Sequence, residues 1–353
     1  MKSEIPARNN NHLLTCALDI QRDVLVAALV DGRGTLIHLN QSPMPETGGR
    51  AGVQAVIRSL LEIIVAPQRN EREINAVGIC LPGNVDLTSG RVSVPVLKWD
   101  RLALREQIER AVEASGMDIR YSGKVRQARA EKKQSSLPTI SITSEAIAGA
   151  VAESWIGAAE DKKHIVFVHA GRTIECGLIA DGRIIYGVGG FAGSAGWCAL
   201  SEEFREEYAR HGCLTTEAAA AALVRRALEE WTDGDASPLS QMLVSSPADL
   251  SASAVIRAAR SGDALAVRVV SDVCQWLGRG IAELISLMNP EIVVVGGEMG
   301  IALRPYLNEV RREARLWAQP TAARQCRILS ATLGKNSGLL GAARLAQMSE
   351  ACA

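Results

Sequence analysis

The stretch Asn289-Pro290-Glu291-Ile292-Val293-Val294-Val295-Gly296-Gly297-Glu298-Met299-Gly300 decides how the rest of the chain is read. It reads as a helix end, a turn opened by proline, a strand and a glycine pair. Ile292 to Val295 is apolar at every position, the pattern of a strand covered on both faces; a half-exposed strand alternates. In open α/β sheets ligands sit at the carboxyl edge of the strands, and glycine lets backbone N–H groups approach a phosphate. Gly296 and Gly297 stand at that edge. They suit a nucleotide site and equally a plain turn that needs positive φ, and a lone glycine pair does not separate the two.

Outward from this strand, 353 residues are enough for two medium domains with sizeable cores. Hydrophobic residues make up 47% and the formal net charge is zero, which fits a globular protein and gives no global reason to expect nucleic acid or an acidic membrane as partner. No apolar run reaches the ~18–20 residues that span a bilayer, and the polar start MKSEIPARNNNH has no signal-peptide core. A cytoplasmic protein is expected. The eight cysteines are scattered without a C-x-x-C pair or zinc-finger spacing, so they are expected to be reduced thiols, several of them in the core.

Residues 1–11 read as a disordered tail. Leu13–Ile20, Val24–Val30 and Thr35–Leu39 form an antiparallel meander around the tip Gln21-Arg22-Asp23 and the turn Asp31–Gly34. An amphipathic helix follows over Gly52–Val65, then the buried strand Ile74–Leu81 and a second helix over Leu102–Ala114. Between Arg120 and Lys133 six basic residues meet one acid, Glu131, so 116–138 reads as a basic insert, a solvated surface by default. Ile165–His169, Cys176–Ala180 and Arg183–Tyr186 repeat the meander around the tip Ala170–Glu175. This weak internal repeat argues for two lobes of similar α/β topology: 12–138 with the insert, and 139–335. Residues 336–353 are expected as a closing helix that packs back on the first lobe.

Two meander-based lobes resemble the actin-like ATPase superfamily, whose ribonuclease H-like fold holds its ligand in a cleft between the lobes. The motifs narrow this. NPEIVVVGGEMG resembles the adenosine-side motif of the ROK family (repressors, open reading frames and sugar kinases). ILSATLGKNSGLLGAARL, from Ile328, resembles that family's closing segment, VGICLPGNVDLTSGRV its sugar-side loop, and GVGGFAGSAG the loop before its signature glutamate. The resemblance runs from about residue 13 nearly to the end. It implies Pro82, Gly83 and Asn84 beside a sugar, Gly296 and Gly297 on the adenosine side, and pairing of two copies as a homodimer.

The departures weigh as much. The family's first phosphate loop reads D-I-G-G-T-K; here it is Asp19-Ile20-Gln21-Arg22-Asp23-Val24, so the metal-placing aspartate stays and both glycines are gone. The second, roughly G-T-G-x-G-x-G, is Gly171-Arg172-Thr173-Ile174-Glu175-Cys176-Gly177. Side chains replace bare backbone amides, and Asp23 and Glu175 bring negative charge beside an anion. Arg22 and Arg172 are left as the cations that can pair with phosphate. The catalytic stretch E-N-D-A-N is Thr143-Ser144-Glu145-Ala146-Ile147. Glu145 either serves as the base, one methylene longer than the family's aspartate, or is a plain helix-start acid. Of the signature E-x-x-G-H, Ser194, Gly196 and Trp197 remain at the matching positions, and of the zinc cysteines only Cys213. No structural zinc is expected, since such a site takes about four ligands. Trp197 either stacks on a sugar or fills the vacated space, and core filling is the expectation.

Repressors of the family carry a helix-turn-helix ahead of this body, and about a dozen residues precede the first strand here, so DNA binding by that device is not expected. Two functional readings follow. One is a ROK-fold sensor or regulator that binds a sugar or other small molecule through Pro82–Asn84, Ser144, Glu145, Ser194 and Trp197. The other is a divergent ATP-dependent sugar kinase, with Mg²⁺ and ATP as cofactors, Glu145 as base, and Asp19, Gly171–Thr173, Gly296 and Gly297 around the nucleotide. Altered phosphate loops favour the first, because phosphoryl transfer rests on positioning and charge stabilisation.

Overall fold

The computed structural model describes residues 14–65, 74–115, 139–231, 238–245 and 250–351. The expected tail and the basic insert 116–138 lie outside them. The chain divides into two compact units. One comprises 1–156, 186–191 and 336–353, the other 157–185 and 192–335.

The first unit is built on a sheet of five strands in the order β3-β2-β1-β4-β8, with β1 Leu14–Ile20, β2 Val24–Asp31, β3 Leu36–Pro43, β4 Ile74–Leu81 and β8 Thr139–Ser144. β1, β2 and β3 are the antiparallel meander, and β1, β4 and β8 run parallel. All seven residues of β1 are buried, whereas β3, at the edge, has none buried. A small sheet of β5 Asn84–Val85, β6 Val92–Val94 and β7 Trp99–Leu102, unforeseen in the sequence, follows β4. The helix Ser337–Ala351 packs on β4, β1 and the helix Glu145–Ile156.

The expected boundary at 139 is not where the chain divides. Thr139–Ser144 is hydrogen-bonded to β4, from Ala76 opposite Thr139 to Leu81 opposite Ser144. β4 is buried and needs a ladder on each side, so β8 and the helix it feeds belong to the first unit.

The second unit repeats the plan. Its sheet runs β11-β10-β9-β12-β13, with β9 Ile165–Ala170, β10 Ile174–Ala180, β11 Arg183–Ile184, β12 Ile292–Gly296 and β13 Arg327–Ser330. β12, the strand of the organising stretch, is central and parallel to both neighbours, and every residue in it is buried. It is fed by the helix Ala264–Met288, capped at its start by Asp263 accepting from the Ala266 amide, and closed by Asn289 at φ 43°. Asparagine tolerates that left-handed conformation, and Pro290 prevents the helix from continuing. The helix expected over Thr216–Trp231 is broken: Ala219 is extended between Cys213–Ala218 and Ala220–Glu230, and the Ala220 amide donates to the Gly171 carbonyl.

Candidate functional site

In each unit the carboxyl ends of the three parallel strands form one edge, and the sequence-predicted residues collect there. In the first unit, register aligns Asp19 with Cys80 and Cys80 with Thr143, so the three side chains share a face. Asp19 is 4% exposed. Its Oδ2 accepts a hydrogen bond of 2.8 Å from Gln21 Nε2. The first turn of the closing helix is also close: a methyl group on Gly338 would stand 3.1 Å from Asp19 Oδ1 and 3.1 Å from Cys80 Sγ. A carboxylate beside a helix N-terminus is favoured by the aligned peptide dipoles. The Thr143 hydroxyl is buried with no hydrogen-bond partner among the described residues.

The next residues along these strands are Pro82, Gly83 and Asn84 after β4, and Glu145 directly after Ser144 of β8. Gly83 lies against the Ser93 carbonyl, while Asn84 is exposed. Glu145 starts the helix Glu145–Ile156 and is part-buried. Loss of water pushes its carboxyl group up to about 7. The first tip is closed on itself, with the Gln21 amide donating to the Val24 carbonyl at 3.0 Å. Arg22 pairs with its neighbour Asp23 at 3.5 Å in solvent.

In the second unit the tip Gly171-Arg172-Thr173 joins β9 to β10. The Gly171 amide donates to the Thr173 carbonyl at 3.1 Å, so this tip too spends its amide internally. Arg172 and Thr173 are exposed, and the Thr173 hydroxyl lies 3.4 Å from Glu175 Oε1. Both glycines of the pair in the organising stretch have packing reasons. A side chain on Gly296 would collide with the Phe167 ring. Gly297 has φ +78° and lies 2.6 Å, measured from an ideal Cβ, from the Ala170 carbonyl oxygen. A plain tight turn is therefore sufficient to explain the pair.

Ser194 precedes and Trp197 ends the turn Ala195–Trp197, which packs on β10 and on the helix Cys213–Ala218. Core filling by Trp197 is corrected here, because its side chain is 57% exposed. Backbone takes the space instead: Gly196 lies against the Thr215 hydroxyl and the Ile174 carbonyl, and Gly212 against the Gly196 carbonyl. Cys213 is buried and Cys198 half-buried, both as free thiols. Among the described residues no group of three or more His, Cys, Asp and Glu is arranged to hold a metal ion.

A model of the ROK family matches residues 15–349. The chain belongs to the ROK family. It is 25% identical over 337 residues to a glucokinase of Halalkalibacterium halodurans, over 94% of both chains. It is 30% identical over 264 residues to the DNA-binding transcriptional dual regulator NagC of Escherichia coli, over 73% of this chain and 56% of that one. The chain thus spans a little over half the length of this ROK regulator. In fold it is similar to a ROK family transcriptional regulator, a homologue of the E. coli MLC protein, at TM-score 0.80 and 22% identity over 97% of this chain and 80% of that one. It is also similar to a ROK glucokinase from Streptomyces griseus solved with glucose and AMPPNP, at TM-score 0.73 and 24% identity over 95% and 99%. The chain has the actin-like fold of these ROK proteins.

Three features of this ROK chain were out of reach of its motifs. They are the Gln21 amide on Asp19, the start of the closing helix beside it, and the buried Glu217, which binds Arg205, Arg225, Arg226 and the Tyr208 hydroxyl. Burial alone would raise the Glu217 carboxyl group, but the hydroxyl and the guanidinium groups outweigh it and hold the group below its ordinary range. None has a sequence signature, since each joins residues by side-chain contact.

Proposed function

We propose that this ROK protein is a sugar-binding sensor or regulator in which phosphoryl transfer has been given up. The observation that carries the reading is the hydrogen bond of 2.8 Å from Gln21 to Asp19, at a tip whose amide is also bonded internally. A phosphate loop works by offering bare N–H groups and an open carboxylate for the metal. Here the carboxylate is held by a side-chain amide, and the second tip bonds its own Gly171 amide to Thr173. With the Gln21 and Gly171 amides and one Asp19 oxygen already engaged, these residues fit magnesium–ATP poorly. With Trp197 at the histidine position and only Cys213 left of the cysteines, this segment fits zinc poorly too.

The ligand is read as a sugar or sugar derivative. Its support is the company of a glucokinase and of N-acetylglucosamine repressors among the relatives. Pro82, Gly83, Asn84, Ser144 and Glu145 of the first unit are the residues proposed to contact it. Ser194 and the exposed Trp197 are the candidates in the second unit. A divergent sugar kinase is the second reading, favoured by Glu145, whose carboxyl group at about 7 suits a general base. Calorimetry with a sugar panel, with and without magnesium and ATP, tests both. The sensor reading expects a sugar to bind and ATP not to. Binding of ATP together with sugar turnover that is lost in Glu145→Gln would establish the kinase instead.

A further inference from the structure

The carboxylate of Glu217 is buried, with 1% of the residue exposed. Each of its oxygens takes two donors. Oε1 accepts from the Tyr208 hydroxyl at 2.8 Å and from Arg205 Nη1 at 3.1 Å. Oε2 accepts from Arg225 Nη2 at 2.9 Å and from Arg226 Nη2 at 2.6 Å. The donors come from the helix Glu206–His211 with its N-cap Arg205 and from the helix Ala220–Glu230, while Glu217 itself lies on Cys213–Ala218. Charge-assisted bonds are strong and set geometry, so one carboxylate fixes three helices against one another.

The junction that Glu217 spans runs against local preference. Ala218 to Ala222 are all alanine, the best helix former, and yet the helix breaks there, at the extended Ala219. In one continuous helix Glu217 and Arg225 would stand about 12 Å apart along the axis, whereas helical side chains pair across three or four residues. The ion pairs and an unbroken helix therefore exclude each other. Two contacts at the carboxyl edge of the second unit are carried by this junction. The Ala220 amide donates to the Gly171 carbonyl at 2.9 Å, and the Thr215 hydroxyl accepts from the Ile174 amide at 3.2 Å. Gly196 packs on that same hydroxyl.

We propose that Glu217 is a positioning residue for the carboxyl edge of the second unit: by holding the helix broken it sets the tip Gly171–Thr173 through Ala220 and the turn Ala195–Trp197 through Thr215. That turn follows Ser194 and ends at Trp197, so the role in binding rests on the reading of these two as sugar contacts. With both oxygens taken up by four donors, Glu217 acts through its neighbours. An ionic cluster suits the fixing of geometry better than the gain of stability, because apolar residues of similar volume often match or exceed a buried ion pair in stability. A supporting shell with locked side chains is what keeps a binding site at its working geometry.

Native-state hydrogen exchange of the full chain tests this, on Glu217→Gln and on the milder Arg205→Met, which removes one donor from a half-exposed arginine. In Glu217→Gln the Ala220 and Ile174 amides are expected to quicken at least about tenfold more than the amides of the central strand β12, and in Arg205→Met by a smaller factor in the same order. A merely structural role lowers protection everywhere together. A uniform rise, or unchanged Ala220 and Ile174 amides in a folded variant, overturns the proposal. Should Glu217→Gln not fold, Arg205→Met carries the test by itself. Calorimetry with glucose and N-acetylglucosamine is the second readout. For whichever of them the wild type binds, the folded Glu217→Gln variant is expected to raise the dissociation constant at least about tenfold, and an unchanged value overturns the positioning role. The exchange readout needs no sugar, so failure of this proposal is distinguishable from failure of the sugar reading.

Discussion

Loss of water on burial pushes the Glu145 carboxyl group up from an ordinary value of 4.5 to about 7. A folded-state value above the unfolded one means that the native state binds the extra proton. Stability therefore falls as pH rises from about 4.5 through about 7. Replacing Glu145 by glutamine removes this dependence. The variant is expected to match the wild type near pH 4 and to exceed it at pH 8, by at most about 2 kcal/mol since the group is only part-buried. Thermal melts across that range measure it, and a flat difference between the two proteins would contradict the assignment. Gln21→Ala should cost about 1.5–3 kcal/mol in urea unfolding, the worth of a hydrogen bond to a carboxylate. At this scale Asp19 and Glu145 were legible, because each keeps a carboxylate at a motif position. The Gln21 contact was not, because only the folded tip brings residue 21 back over residue 19.

Among the elements, the closing helix decides the geometry around Asp19. It makes two close backbone contacts: Gly78 of β4 lies against the Ala342 carbonyl, and Gly341 lies against the Ala148 carbonyl of the helix Glu145–Ile156. A methyl group at either glycine would force the helix off β4 or off the helix Glu145–Ile156. In a free helix Gly341→Ala would gain about 1 kcal/mol. Here it is expected to lose about 2 kcal/mol or more, as overpacked cores do, and to weaken ligand binding through the displaced helix start. Denaturant unfolding and calorimetry on the one variant read both effects. The sequence carried the element itself, through the apolar spacing of Leu339, Leu340, Ala343 and Leu345. It did not carry the reason for the glycines, since a close approach of helix to strand leaves no periodic mark.

For the whole molecule, the two sheets have matching strand orders, and each presents its predicted residues at the carboxyl edge. A ligand that binds the folded chain stabilises it by linkage, by about 2.7 kcal/mol at a hundred times its dissociation constant. A cognate sugar is therefore expected to raise the melting temperature in a concentration-dependent way, and magnesium–ATP to leave it unchanged. An ATP-dependent rise without any sugar response would favour the kinase reading over the sensor.

The internal repeat, the buried strand Ile292–Val295, its flanking turn and the family motifs are all local in sequence. Hydrophobic period and turn chemistry act over a few residues, so the order of the amino acids is enough to determine these features. The sheet to which Thr139–Ser144 belongs, the outward turn of Trp197 and the seating of the closing helix beside Asp19 depend on pairings between distant segments. Those are decided by backbone ladders and by the space that neighbouring backbone leaves, and only the tertiary structure supplies both.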